Sequence, residues 1–203
     1  MKENRVSISE VLFVIRGGPP KDINPELAKR GIAAHKKIEQ EAREGKIPPS
    51  LARAGLRPPI TPEKTVHGNV GGTELSGRID LVGSDGMVVD LKPGADIKGR
   101  HLFQAAMAAR ADRSGKAAVH LYGSGRTYVI TDGGQSAGEE IGVVVTNARR
   151  ILENEAEMKN KRKTLGPVGM QQKGTETVKL RQELEKNLGD AMDKIKSKLV
   201  KYQ

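Results

Sequence analysis

The chain of 203 residues has no cysteine and no tryptophan, only two phenylalanines and three tyrosines, and no long apolar run. Without cysteine it has no disulfide, no thiolate zinc site, no iron–sulfur cluster and no cysteine nucleophile. A metal here is held by oxygen and imidazole, ligands that suit Mg²⁺ or Mn²⁺. So few aromatics rule out base stacking as the main mode of nucleic-acid binding and leave phosphates as the contacts. No stretch approaches the roughly 20 apolar residues of a membrane span. The first residues, M-K-E-N-R-V-S-I-S-E-V-L-F-V-I-R, carry no small-residue cleavage site. No membrane association and a cytoplasmic location are the expectation.

Acidic residues are outnumbered: 25 Asp and Glu against 35 Lys and Arg give a net charge of +10. An excess of that size suits an anionic partner such as nucleic acid, and it equally suits simple solubility. Along the chain, residues 7–16 read as a short helix capped by Ser7 or Ser9. A second helix runs to Gly45, with Asn24 as its cap and Pro25 at its first position. A proline-rich connection follows. From Glu63 the period becomes strand-like: residues 63–70, 73–82 and 87–92 form three antiparallel strands joined by G-G and G-S-D-G. An alanine-rich helix over 98–113, two strands over 116–123 and 126–132, and a helix over 136–162 come next. Leu184, Leu188, Ala191, Ile195 and Leu199 then mark a basic amphipathic helix. That helix packs on the core, covers a nucleic-acid groove or pairs with a second copy as a homo-oligomer. The predicted organisation is a domain over 1–163, a linker over 164–176 and the C-terminal helix over 177–203.

The chemistry concentrates in G-R-I-D-L-V-G-S-D-G-M-V-V-D-L-K, residues 77–92. Alternation along a strand puts Asp90 and Lys92 on one face. A three-residue loop, Ser84-Asp85-Gly86, ends in the glycine that such a hairpin needs at positive φ. That register pairs Gly83 with Met87 and sets Asp80 opposite Asp90, with Cβ atoms about 5 Å apart. Two carboxylates so close raise one pKa or require a cation between them. A two-residue turn would instead send them to opposite faces. The neighbours Ile79 and Leu81 supply the buried face beside Asp80.

These residues, with an upstream R-G-I-A-A-H-K-K-I-E helix, resemble the PD-(D/E)XK nuclease superfamily, in particular its RecB-type and CRISPR-associated exonuclease branch. Four elements occur in the family's order: Ser7, Ser9 and Leu12; His35 four residues after Gly31; Gly77, Asp80, Asp90 and Lys92; and Gln104 on the next helix. The resemblance implies an α/β (α+β) fold with a restriction-endonuclease-like core, a central mixed sheet of about five strands flanked by helices, and a C-terminal helical extension. It implies that His35, Asp80, Asp90 and the Leu91 carbonyl ligate Mg²⁺ or Mn²⁺, and that Asp80, Asp90 and Lys92 are catalytic. Lys92 would orient the attacking water and stabilise charge on the phosphate. Gln104 and Ser9 would order the site or the DNA, with Arg78 and Lys98 flanking it as phosphate contacts. Helical-wheel geometry agrees for His35, which lies at the edge of the stripe of Leu27, Ala34 and Ile38, with Gly31 leaving room for close approach.

Two departures matter. The exonucleases usually carry a tyrosine four residues after the glutamine, where this chain has Ala108, and Gly18-Pro19 stands where iron–sulfur members have Cys-Pro. The implied function is a metal-dependent deoxyribonuclease, an exonuclease in DNA repair, replication or mobile-element processing, with structure-specific endonuclease as the alternative form. A non-catalytic DNA-binding protein on the same fold and an RNA nuclease are the alternatives. His67, His101 and His120 have no spacing that suggests a joint metal site, and Y-G-S-G-R-T-Y reads as a plain hairpin turn.

Overall fold

The computed structural model describes residues 4–18, 25–160 and 162–203. Asn24 and its predicted cap, and the side chain of Leu27, lie outside what is described. A short strand β1 (Arg5–Ser7) leads into helix α1 (Ile8–Arg16). Ser7 caps α1 through a reciprocal box: the Glu10 N–H donates to its Oγ, and its own N–H donates to the Glu10 carboxylate. Helix α2 (Pro25–Arg43) follows, then a one-turn helix α3 (Pro49–Arg53) within the predicted connection. Strands β2 (Thr61–Val70), β3 (Thr73–Val82) and β4 (Val88–Lys92) lead to helix α4 (Gly99–Asp112). Strands β5 (Ala117–Leu121) and β6 (Arg126–Ile130) precede helices α5 (Gly138–Asn160) and α6 (Arg162–Ser197), and β7 (Leu199–Tyr202) closes the chain.

The fold is mixed α/β. Seven strands form one sheet in the order β1-β3-β4-β5-β6-β7, with β2 also on β3. The five predicted strands are all present, and β1 and β7 are additions too short to show a period. β1 pairs with β3 and β4 with β5 in parallel, the latter through the α4 crossover; the other pairs are antiparallel. One core, with Phe103, Met107, Ile141, Val144 and Ile195, fills the face covered by α1, α4, α5 and α6. A smaller core, with Ile38, Leu51, Val89 and Leu91, fills the face under α2 and α3.

Residues 164–176 are a correction. Where a linker is predicted, they are helical as part of α6, interrupted at Gly166, whose φ of 65° lies in the left-handed region. Pro167 directly after it begins the resumed helix, a position where a missing N–H costs little. Past it, ion pairs Arg150–Glu176 at 2.9 Å and Arg181–Glu155 at 2.7 Å tie α6 along α5. The apolar stripe of α6 is consumed within the subunit: Leu184, Ala191 and Ile195 are buried in the larger core. Leu199 belongs to β7, not to the helix. Among the described residues, no helix is long and apolar enough to cross a membrane.

Candidate metal and active site

Strand β3 has two edges. β2 runs along one, missing only the rung at Asp80, so β1 and β4 share the other, end to end. β1 reaches Ser76, and β4 takes over at Leu81, which leaves an open fork at residues 77–80. Asp80 sits at this fork.

The hairpin has the predicted register. Leu81 pairs with Val89 and Val82 with Val88, the Gly83 N–H donates to the Met87 carbonyl at 3.0 Å, and Gly86 has φ 78°. Continuing that register sets Asp80 opposite Asp90. The ladder does not continue, however. Instead the Leu91 N–H donates to the Asp80 carboxylate at 2.7 Å, so the side chain of Asp80 takes the place of a backbone partner. The buried neighbours of Asp80 also differ from expectation. Ile79 belongs to the larger core and Leu81 to the smaller one, on opposite faces of the sheet. Strict alternation would put them together, so β3 changes face at Asp80. Its carboxylate is thereby open to both sides.

On the α2 side, His35 and Glu39 approach it one helical turn apart. His35 Nε2 lies 3.3 Å from Asp80 Oδ1 and 3.0 Å from Glu39 Oε1. One donor atom from each of the three falls within 4.8 Å of the others, a spacing a single cation can bridge. Asp90 does not join this trio at that spacing. Glu39 is only 6% exposed. The hydrogen bond with Asp80 raises the His35 pKa, against the opposing effect of burial. The trio lines a cleft of about 390 Å³ with Ile32, Glu63, Arg78, Pro93 and Tyr122. Tyr122 donates its hydroxyl to the Gly31 carbonyl at 3.0 Å and so holds α2 against the end of β5. Gly31 is not demanded by close approach: a Cβ there would meet the Tyr122 hydroxyl at 3.7 Å and Pro93 at 3.9 Å, ordinary contacts.

On the α4 side, Asp90 is 8% exposed. Lys92 Nζ donates to its Oδ1 at 2.9 Å, while Oδ2 is buried with no partner. Burial pushes this carboxyl up to about 7; Lys92 opposes the rise and Asp80 adds to it. Asp80, Asp90, Arg78, Gln104, Ala108 and Ile8 line a narrow void of about 10 Å³ between sheet and α4. Gln104 therefore faces the two aspartates, and Ala108 stands beside them. The Leu91 carbonyl leaves its strand on the same edge as the Leu91 N–H, toward Asp80, because both groups of one strand residue point to one side.

The structure thus brings together His35, Asp80, Asp90, Leu91, Lys92, Gln104 and Arg78. It does not bring in Ser9, which is exposed on α1 where Ile8 lines the void, or Lys98, exposed at the cap of α4. Of the remaining histidines, His67 bonds Arg5 and His120 is buried with Ser50 and Thr127, while His101, its Nδ1 buried without a partner, lies near enough to Lys92 that this charge adds to burial in lowering its pKa to about 4. Y-G-S-G-R-T-Y is the hairpin between β5 and β6, as predicted, yet its Tyr122 reaches the cleft. Glu39 and Tyr122 are the two site residues that sequence reasoning missed. The H-x-x-x-E spacing that puts Glu39 on the His35 face was visible; the partner across the fork was not.

No protein-family model and no curated protein matches the chain. A solved structure, of SSO0001, is similar at a TM-score of 0.36 and 16% identity, over 60% of this chain. This chain spans 63% of that protein's length, and at such a score the likeness carries no argument.

Proposed function

We propose that the protein is a divalent-metal-dependent nuclease of the PD-(D/E)XK type, hydrolysing DNA phosphodiester bonds. The observation that carries this reading is the fork itself. Four ionisable groups, His35, Asp80, Asp90 and Lys92, converge with Glu39 where two strands separate, and one buried carboxylate oxygen of Asp90 lacks any partner. An orphaned, buried, charged oxygen is costly in a finished core. It is expected where a cation or substrate completes the shell.

The donors fit Mg²⁺ or Mn²⁺: carboxylates, one imidazole and a backbone carbonyl, with no sulfur. Asp80, Asp90 and the Leu91 carbonyl would hold the ion, with His35 and Glu39 on the α2 side. When bound, such an ion lowers the pKa of water and polarises a phosphoryl oxygen. The chain's own residues do the rest. Lys92, fixed by Asp90, donates to the attacking water or the phosphoryl oxygen and offsets the charge that builds there. Asp80 keeps the Leu91 backbone in place through the N–H it accepts, and Gln104 orders the α4 side. Arg78 meets a phosphate in the cleft. As the water oxygen bonds to phosphorus, the bond to the sugar oxygen breaks, and the proton that the water gives up ends, through solvent, on that departing oxygen. A cation held by His35 Nε2 would compete with the proton that the Asp80 hydrogen bond favours on this ring, so its binding would strengthen as pH rises.

Exonuclease is the first form of this reading, acting on DNA in the cytoplasm. Ala108 beside the aspartates, in place of a tyrosine, favours structure-specific endonuclease as the second. The test is end-labelled single- and double-stranded DNA with Mn²⁺ or Mg²⁺, beside Asp90→Ala and Lys92→Ala. Metal-dependent cleavage by the parent, lost in both variants, is the expected result, and product lengths tell end-directed from internal cutting. Tight binding without cleavage, in any metal, would overturn the enzyme and leave a DNA-binding scaffold.

A further inference from the structure

Glu63 occupies a backbone conformation that its residue type disfavours. It has φ 55°, in the left-handed region, inside strand β2. The rungs on either side are Pro62 with Leu81 and Lys64 with Ile79, so Glu63 falls opposite Asp80 without pairing to it. A left-handed glutamate costs free energy that a glycine would not, and such residues gather where the chain has a function to serve. The chain changes face here as β3 does: Ile60, just before β2, belongs to the smaller core and Val66 within it to the larger.

This conformation delivers the carboxylate between two guanidinium groups. Oε1 lies 3.2 Å from Arg78 Nη1 on β3, and Oε2 lies 3.9 Å from Arg43 Nη2 at the end of α2. All three side chains are open to solvent, at 42% for Glu63, 68% for Arg78 and 51% for Arg43. Glu63 and Arg78 line the same cleft as His35 and Asp80. A pair of guanidinium groups accepts phosphate as readily as carboxylate, through the same planar donors.

Resting on the nuclease reading, we propose that Glu63 is an internal stand-in for a phosphate. Arg43 and Arg78 form a subsite for a backbone phosphate next to the one at the reacting centre, and Glu63 fills it until nucleic acid displaces its carboxylate. Because the groups are exposed, the exchange needs no charge to be buried, only one ion pair traded for another. The occupant is a phosphodiester of a nucleic-acid strand, held by charge and without base readout.

Binding of a labelled oligothymidylate, followed by fluorescence anisotropy in EDTA between about 50 and 200 mM salt, tests this. Glu63→Gln is expected to tighten binding about threefold or more at the lower salt and to steepen the salt dependence by about 0.7, one further phosphate on a single strand. Adding Arg78→Ala to that variant is expected to abolish both gains. Inorganic phosphate at millimolar concentration is expected to leave the Glu63→Gln gain in place, since a free ion lacks the neighbouring phosphates; full competition would mean an adventitious anion site. Unchanged affinity and slope in Glu63→Gln would overturn the proposal, as would an equal gain from Glu185→Gln on α6. Parallel cleavage assays with Mn²⁺ separate the two readings. If the parent cleaves DNA while Glu63→Gln binds like the parent, the stand-in fails and the nuclease stands. If the parent neither binds nor cleaves, both fail.

Discussion

Replacing Asp90 by asparagine is expected to stabilise the metal-free protein at alkaline pH. Asp90 is buried, one of its oxygens has no partner, and its pKa is pushed up to about 7. An acid raised in the fold is more easily kept protonated there than in the unfolded chain. Folding is therefore most favoured below the ordinary carboxylate range and weakens as pH climbs toward 7. Each pH unit in that window costs roughly 1.4 kcal/mol. Between about pH 5.5 and 8 the parent should lose about 2 kcal/mol that the asparagine variant keeps, since its amide has no charge to develop. The asparagine carbonyl still accepts from Lys92, which limits other changes at the site. With no tryptophan to report, the measurement is urea unfolding followed by circular dichroism, in EDTA, at both pH values. Excess Mn²⁺ should then reverse the ranking: at a hundred times Kd it stabilises the parent by about 3 kcal/mol and the variant far less. Parallel stability curves for parent and variant across this range would refute the reasoning, because the buried carboxyl would then carry no ionisation cost.

Tyr122→Phe removes the hydroxyl that holds Gly31 of α2; it should cost about 1 kcal/mol in urea unfolding and weaken Mn²⁺ binding by loosening the wall that carries His35 and Glu39. An unchanged Mn²⁺ affinity would show that α2 is positioned without it. Ile195→Ala should destabilise the whole domain by about 2–4 kcal/mol in a single cooperative transition, because Ile195 is fully buried in the main core. A separate transition, or no change, would mean that the C-terminal helix is an independent appendage.

Much of the hairpin was legible in the sequence, and for a physical reason. Gly86 supplies the positive φ that a three-residue loop requires, so the register follows from loop chemistry before any tertiary contact forms. The serines at 7 and 9 likewise marked the start of α1, and the structure puts the cap on Ser7, with Glu10 as its reciprocal partner. What stayed hidden depends on distant neighbours. Glu39 shares a helical face with His35 in any reading, but only packing of α2 on the fork makes it face Asp80. The change of face at Glu63 and Asp80 breaks the period of two that strand reading assumes, so Ile79 and Leu81 looked like one buried face and are two. Gly166-Pro167 carries a strong loop signal, yet the fold absorbs it as a kink and lets the helix resume along α5.

The measurement that bears most directly on the account is anomalous diffraction from crystals soaked in Mn²⁺. The account predicts one strong peak at the fork, bounded by the Asp80 carboxylate, His35 and the Asp90 oxygen that has no partner in the protein. Saturating Mn²⁺ with no peak there, or a peak only at other carboxylates, would contradict it.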